Sequence, residues 1–184
     1  MRYFLSLGSN LGNKKKNLAR AVSFLKREGT QVLRTSSIYR TQPVDFLDQP
    51  WFLNQVIEIE SDLNPFALLG AVKNIEEKMG RKPTVANGPR VIDMDILLVE
   101  NAILHTKNLI IPHPRLAQRN FVLAPLAEIA PDAIHPVLKA RMQDLWKNSP
   151  DHSLIKKTKS TSKRIKKTSL ICLHRPFLMG KKGE

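Results

Sequence analysis

The chain has one cysteine in 184 residues, Cys172, which excludes an intrachain disulfide and leaves no cluster with zinc or iron–sulfur spacing. It also has no apolar window of 18 residues, so no membrane-spanning helix is expected, and the run at Met1-Arg-Tyr-Phe-Leu-Ser-Leu7 is too short for a signal peptide. A soluble cytoplasmic protein, working as a monomer, is the expectation. There is no internal repeat, no complete Walker A or Gly-x-Gly-x-x-Gly pattern, and no nucleophile triad. Acidic residues are scarce, 16 against 30 Lys and Arg, which gives a net charge of +14. That excess is uneven: residues 151–184 hold 10 Lys/Arg and 2 Asp/Glu, a net of +8, which leaves +6 for residues 1–150. The charge therefore describes the end of the chain more than its body, and with no RNA-binding aromatic signature a specific nucleic-acid partner is not expected.

At 42% hydrophobic and 25% charged the chain has an ordinary globular composition, and its length suits one domain, over residues 1–150, with a real core. Residues 151–184, rich in Lys, Ser and Thr, bury too little to offset their ordering entropy and are expected to be a flexible tail. A chain ending near Ser149 is accordingly expected to keep its function.

The stretch Asn87-Gly-Pro-Arg-Val-Ile-Asp-Met-Asp-Ile-Leu-Leu98 organises the rest. In a strand over residues 91–99, Asp93 and Asp95 share a face with Cα atoms roughly 7 Å apart, while Ile92, Met94, Ile96 and Leu98 face a core. Two adjacent carboxylates repel unless a cation lies between them, and hard oxygen ligands suit Mg²⁺ completed by phosphate. Arg90, beyond the Gly88-Pro89 turn, could reach the same phosphates. The competing reading is a solvated edge-strand face.

Residues 2–7 read as a strand ending at Gly8-Ser9-Asn10, followed by a helix with Leu18, Ala21, Val22 and Leu25 on one face and Gly29 at its end. The glycine turn between them is either a phosphate cradle or a tight turn with an Asn cap. Residues 31–40 read as a second strand and Phe52–Glu60 as a third. The intervening loop carries Phe46, Leu47 and Trp51, as a ligand-facing lid or as residues tucked onto the core. Asn64-Pro65 starts a helix lined by Leu68, Leu69, Val72, Ile75 and Met79, with Glu76 at the edge of the stripe and so expected to be solvated. Residues 80–88 form a cationic loop suited to closing over a polyphosphate. His113, held between two prolines, is either a fixed ligand contact or a capped loop histidine. Residues 123–130 read as a short helix and Leu138 to Trp146 as a closing amphipathic segment.

Four separated pieces, Leu7-Gly-Ser-Asn-Leu-Gly12, Tyr39-Arg-Thr41 with Asp48-Gln-Pro and Phe52-Leu-Asn54, Gly88-Pro-Arg-Val-Ile-Asp-Met-Asp-Ile-Leu97, and Pro112-His113 with Arg119-x-Phe121, together resemble the 6-hydroxymethyl-7,8-dihydropterin pyrophosphokinase family of folate biosynthesis. The resemblance spans roughly residues 2–148. It implies an α+β, ferredoxin-like sandwich, mainly antiparallel, with helices packed on the sheet, and transfer of pyrophosphate from ATP to the pterin hydroxymethyl group with release of AMP. By the same likeness Asp93 and Asp95 would hold two Mg²⁺ ions. Arg81, Arg90, His113 and Arg119 would bind the triphosphate, Arg81 and Arg90 serving catalysis as well. Glu76 and the backbone near Ile96 and Leu97 would meet the adenosine. Phe52 and Phe121 would stack on the pterin, with Asn54 and the backbone from Thr41 to Val44 reading its edge. Lys82-Pro83 and Asn87 stand where many relatives carry a second arginine and an aromatic residue.

Overall fold

A computed structural model describes residues 1–82, 85, 87–100 and 102–158. Its elements run β1 (Arg2–Ser9), α1 (Lys14–Arg27), β2 (Gln31–Thr35), β3 (Tyr39–Thr41), β4 (Phe52–Glu60), α2 (Pro65–Lys78), β5 (Asp93–Val99), β6 (Leu104–His105), β7 (Ile110–Ile111), α3 (Asn120–Ile129), α4 (Met142–Lys147) and β8 (Ile155–Lys157). The main sheet has the order β5-β1-β4-β3-β8 with β2 also on β4, and every pairing is antiparallel. Within it, β1-α1-β2 and β4-α2-β5 are the two crossover units of a ferredoxin-like fold, strands in the order β5-β1-β4-β2. The expected fold class holds.

The helices start where their caps dictate. The Asn13 side chain accepts from Lys16 N at 3.0 Å and opens α1, and Asn64 accepts from Phe66 N and Ala67 N to open α2, with Pro65 in its first turn. Gly29 takes φ +79° after α1, the left-handed conformation that a side chain would resist. Leu18, Ala21 and Leu25 of α1 join Leu68, Val72 and Ile75 of α2 over Tyr3, Leu5, Leu7, Ile57, Ile59 and Met94 of the sheet. The other sheet face carries a second cluster, in which Val56, Leu97 and Leu98 pack on Val122, Leu123 and Leu126 of α3 and on Met142 of α4.

Three expectations need correction. Residues 31–40 are two strands, not one, because the chain breaks at Ser36: its hydroxyl accepts from Val56 N at 3.0 Å and its carbonyl accepts from Gln55 Nε2 at 2.8 Å, so β2 and β3 each pair with a different half of β4. Leu98 does not share the face of Met94 and Ile96, because the pairing with β1 skips a residue between Phe4↔Leu98 and Leu5↔Ile96, and the resulting bulge turns Leu98 to the α3 side. Helix α3 begins at Asn120, not 123, and α4 covers only part of the segment from Leu138 to Trp146: Lys139 sits at φ +55° and Ile134 bridges Arg141 before the helix starts.

The boundary expected at residue 150 falls before the last strand. Tyr39, Arg40 and Thr41 pair with Lys157, Lys156 and Ile155, and Thr158 N donates to Ile38 O at 2.8 Å. The expected tail from residue 159 onward lies outside the described residues.

Candidate active site

The alternation predicted for β5 places Asp93 and Asp95 half-buried on one face while Met94 and Ile96 are 1% and 4% exposed on the other. Two clefts open beside these aspartates. One is lined by Ser6, Gly8, Thr41, Phe52, Asn54 and Phe121 together with Arg90, Arg119, Asp93 and Asp95. The other is lined by Leu69, Lys73, Ile96, Leu109 and His113, and it too reaches Asp95. Asp95 is the residue common to both.

The carboxylates differ in their company. Asp93 is held by Arg81 Nη1 at 2.7 Å and by Arg90 Nη2 at 2.8 Å. Arg81 also pairs with Glu76, whose two oxygens further accept from Met94 N at 2.7 Å and from Lys73 Nζ at 2.9 Å. Glu76 is only 2% exposed, so the expectation that it is solvated fails: the helix stripe was read too narrowly, and the carboxylate ties α2 to the edge of β5 and aims Arg81. Burial alone would lower the Arg81 pKa, but Asp93 and Glu76 outweigh it and hold the guanidinium charged.

Asp95 has no hydrogen bond or ion pair among the described residues. Burial, and then the neighbouring Asp93 charge, push its pKa up against the opposing pull of His113, Lys73 and Arg119. Burial pushes His113 down from its ordinary value, opposed by Asp95. The His113 amide donates to Leu97 O at 2.9 Å and its Nδ1 accepts from Arg115 N at 3.2 Å, so a neutral ring carries its proton on Nε2. Arg90 Nε is likewise buried with no partner among the described residues. An unpaired carboxylate, a pair of acidic oxygens and an unspent guanidinium nitrogen fit a divalent cation with a bound polyphosphate.

Across the cleft, Phe52 and Phe121 each lie under a guanidinium, Arg90 and Arg119 respectively, both at 5.3 Å from the ring centroid. Asn54 and Thr41 are buried and joined by Asn54 Nδ2 donating to Thr41 Oγ1 at 2.7 Å. Gly8 makes that arrangement possible, since a Cβ there would lie 2.6 Å from Asn54 Oδ1. Arg119 and Arg115 converge on Asp45 at 3.2 and 3.0 Å, next to Val44 at the mouth.

The Gly8-Ser9-Asn10 turn resolves against a phosphate cradle. The N–H groups of Asn10 and Leu11 both donate to Arg90 O, at 3.1 and 3.3 Å, and Asn10 Oδ1 accepts from Arg90 N at 2.7 Å. The turn thus positions Arg90 instead of binding a ligand. Asn10 and Asn17 are the supporting residues that sequence reading missed: Asn10 also donates to Gln49 Oε1 and Pro50 O, and Asn17 bridges Ser9 Oγ, Leu11 O and Val91 O. The signal for Asn10 was the turn itself, read as a phosphate cradle or a tight turn with an Asn cap, whereas Asn17 lies within α1. In the following loop Phe46 and Leu47 are exposed, whereas Trp51 is half-buried with Arg40 4.6 Å over its ring. Gln49 Nε2 donates to Asn87 O at 3.0 Å, joining this loop to the cationic one, of which Pro83, Thr84 and Ala86 lie outside the described residues.

Residues 4–131 match the family described as 7,8-dihydro-6-hydroxymethylpterin-pyrophosphokinase (HPPK). The chain belongs to this family. It is 47% identical over 127 residues to a Bacillus subtilis HPPK, named 2-amino-4-hydroxy-6-hydroxymethyldihydropteridine pyrophosphokinase, a match that covers 68% of this chain and 76% of that one. It is also 40% identical over 151 residues to the folic acid synthesis protein fol1 of Pneumocystis carinii, covering 82% of this chain, but it spans only 20% of that much longer relative. The fold is similar to that of a Plasmodium falciparum HPPK-DHPS crystal structure with pteroate, with a TM-score of 0.65 at 16% identity over 79% of this chain and 42% of the other. Among the described residues no helix is long and apolar enough to cross a membrane.

Proposed function

We propose that this HPPK-family chain transfers the terminal pyrophosphate of ATP to the hydroxymethyl oxygen of 6-hydroxymethyl-7,8-dihydropterin and releases AMP. The observation that carries this reading is that Asp95 lies where two clefts meet, one flanked by two phenylalanines and a buried amide, the other by cations and apolar side chains. A flat, hydrogen-bonding acceptor suits the first and a nucleotide suits the second. Their junction is where the hydroxymethyl oxygen would attack the β-phosphorus as the α,β-bridging oxygen leaves with AMP and the hydroxyl proton passes to solvent.

Asp93 and Asp95 would hold Mg²⁺, which supplies charge neutralisation on the ATP oxygens when bound. The protein's own groups bind and orient. Arg81 and Arg90, both paired with Asp93, would meet the phosphates, and a neutral His113 would offer its Nε2 proton to a phosphate oxygen. Arg119 pairs with Asp45 and lies over the Phe121 ring, both in the acceptor slot, and would turn from there to the phosphates. Thr41 fixes Asn54 through the amide nitrogen, which leaves Asn54 Oδ1 for the acceptor's N–H edge. Nothing here needs a covalent group, because in-line positioning and charge compensation supply most of the rate of phosphoryl transfer.

The test is to incubate the protein with ATP, Mg²⁺ and the hydroxymethyl dihydropterin and to separate the nucleotides. Pterin-dependent AMP in equal amount to the pterin diphosphate is expected; formation of ADP, or turnover indifferent to pterin, overturns the reading.

A further inference from the structure

Helix α3 carries Phe121 in its first turn, yet it has no cap of its own: the residue at its N-cap is Arg119, whose side chain makes no capping hydrogen bond. The first amide is satisfied from elsewhere. Asn120 N donates to Asp151 Oδ2 at 2.6 Å, and Asn120 Nδ2 donates to the Asp151 carbonyl. The remaining carboxylate oxygen, Asp151 Oδ1, accepts from Ser153 N at 2.8 Å and turns the chain toward β8. From there Leu154 O accepts from Gln42 N at 2.9 Å, and Ile155 pairs with Thr41, the partner of Asn54. Further on, Lys157 Nζ donates to Glu128 Oε1 at 2.9 Å while Tyr39 OH donates to Glu128 Oε2 at 2.7 Å, fastening the far end of α3 to β3.

The segment 151–158 thus joins the two sides of the acceptor slot, the aromatic side on α3 and the hydrogen-bonding side on β3. We infer that Asp151 is a positioning residue for the pterin acceptor: by capping α3 from 31 residues downstream and launching β8 onto β3, it sets the separation between Phe121 and the Thr41–Asn54 pair. It does not touch the acceptor itself, being absent from the lining of that slot, and it stands behind Arg115 and Arg119 on the outer side. On the nucleotide side only Arg119, at the N-cap of α3, adjoins Asp151, since the ion pairs of Arg81 and Arg90 and the His113 tether are all made to β5 or α2. This role rests on the reaction proposed above.

Steady-state kinetics of the full chain with Asp151→Ala should show a pterin KM raised about tenfold (~1.4 kcal/mol), with the ATP KM changed less than about threefold. Asp151→Asn, which keeps one of the two acceptor oxygens, should fall between Ala and wild type. Hydrogen exchange of the ligand-free proteins provides a reading independent of turnover. In Asp151→Ala the amides of Asn120, Val122 and Leu123 should exchange faster while those of β1 and β4 stay protected. An unchanged pterin KM, equal rises in both KM values, or faster exchange spread through the sheet would overturn the inference. Absence of turnover in the wild-type chain would instead refute the proposed reaction, leaving the exchange measurement to decide whether Asp151 caps α3.

Discussion

The two walls of the site are held together in opposite ways. On the β5 wall, Lys73, Glu76, Arg81, Arg90 and Asp93 satisfy one another by charge, and all five lie between residues 73 and 93. Among the described residues the facing wall has no such local network. Its bonds join Asn54 to Thr41, Asn120 to Asp151, Tyr39 to Glu128 and Thr158 to Ile38, residues 13, 31, 89 and 120 positions apart. A wall of neighbouring charges needs α2 docked on β5 and, from outside, only the Asn10 turn that positions Arg90. A wall stitched from distant segments is only as good as the last segment to arrive.

The largest way to break the first wall is at its junction residue. Asp95→Asn should cost more than about a hundredfold in turnover under the proposed reaction, measured as AMP formed per unit time. The same change should stabilise the ligand-free protein, because a half-buried carboxylate with no partner is a burden until a cation arrives. The sign follows from its raised pKa. The folded state favours the protonated form, so the stability this group contributes is present below its ordinary value of 3.8 and is lost as pH rises through the higher folded value. Near neutral pH, Asp95→Asn should therefore raise Tm by ~2 °C, and this advantage should shrink as the pH is lowered toward the ordinary carboxylate range. A lower Tm at neutral pH would show that Asp95 is structurally satisfied.

Glu76→Ala strikes the same wall from behind. It strands Lys73 and the Met94 N–H, leaves Arg81 on Asp93 alone, and should cost about 2–3 kcal/mol in denaturant unfolding, at the low side of a broken buried pair because the two cations are partly exposed. Against the second wall, a chain ending at Ser149 should raise the pterin KM by about tenfold through loss of Asp151 and β8, whereas one ending at Thr158 should not. The sequence-based expectation is that a chain ending near Ser149 keeps its function, and this measurement decides between the two. The smallest effect is Gly8→Ala: the added Cβ pushes Asn54 off Thr41 and should weaken pterin binding about fivefold in a calorimetric titration while ATP binding is unchanged.

The contrast between walls also accounts for what the sequence disclosed. Asp93, Asp95 and Arg90 could be found because strand periodicity and a short turn place them by local rules, and the caps at Asn13 and Asn64 opened their helices as expected. The first strand and helix, the third strand and the helix from Asn64 were legible for the same reason, whereas the ferredoxin-like arrangement was implied by the family resemblance. Glu76 was misjudged because its burial depends on where the edge of β5 falls, which no helix pattern encodes. The break at Ser36 depends on the opposite strand, and Lys156 and Lys157 resemble a solvated basic run until Tyr39 and Glu128 are beside them. Long-range hydrogen bonds leave no trace in local composition, and the facing wall is made of them.

The bulge in β5 has a consequence of a different kind. Upstream of it, side-chain phase answers to chemistry, since Asp93 and Asp95 must face the clefts; downstream, it answers to the two apolar clusters that take Leu98 and Val99. The extra residue, Leu97, is absorbed without changing the phase of its neighbours: Leu5↔Ile96 and Phe4↔Leu98 would be consecutive pairs without it. Deleting Leu97 would therefore leave the acidic pair on the clefts and Leu98 and Val99 on their present faces, and would remove instead one buried side chain from the α3 cluster and the carbonyl that accepts from His113 N.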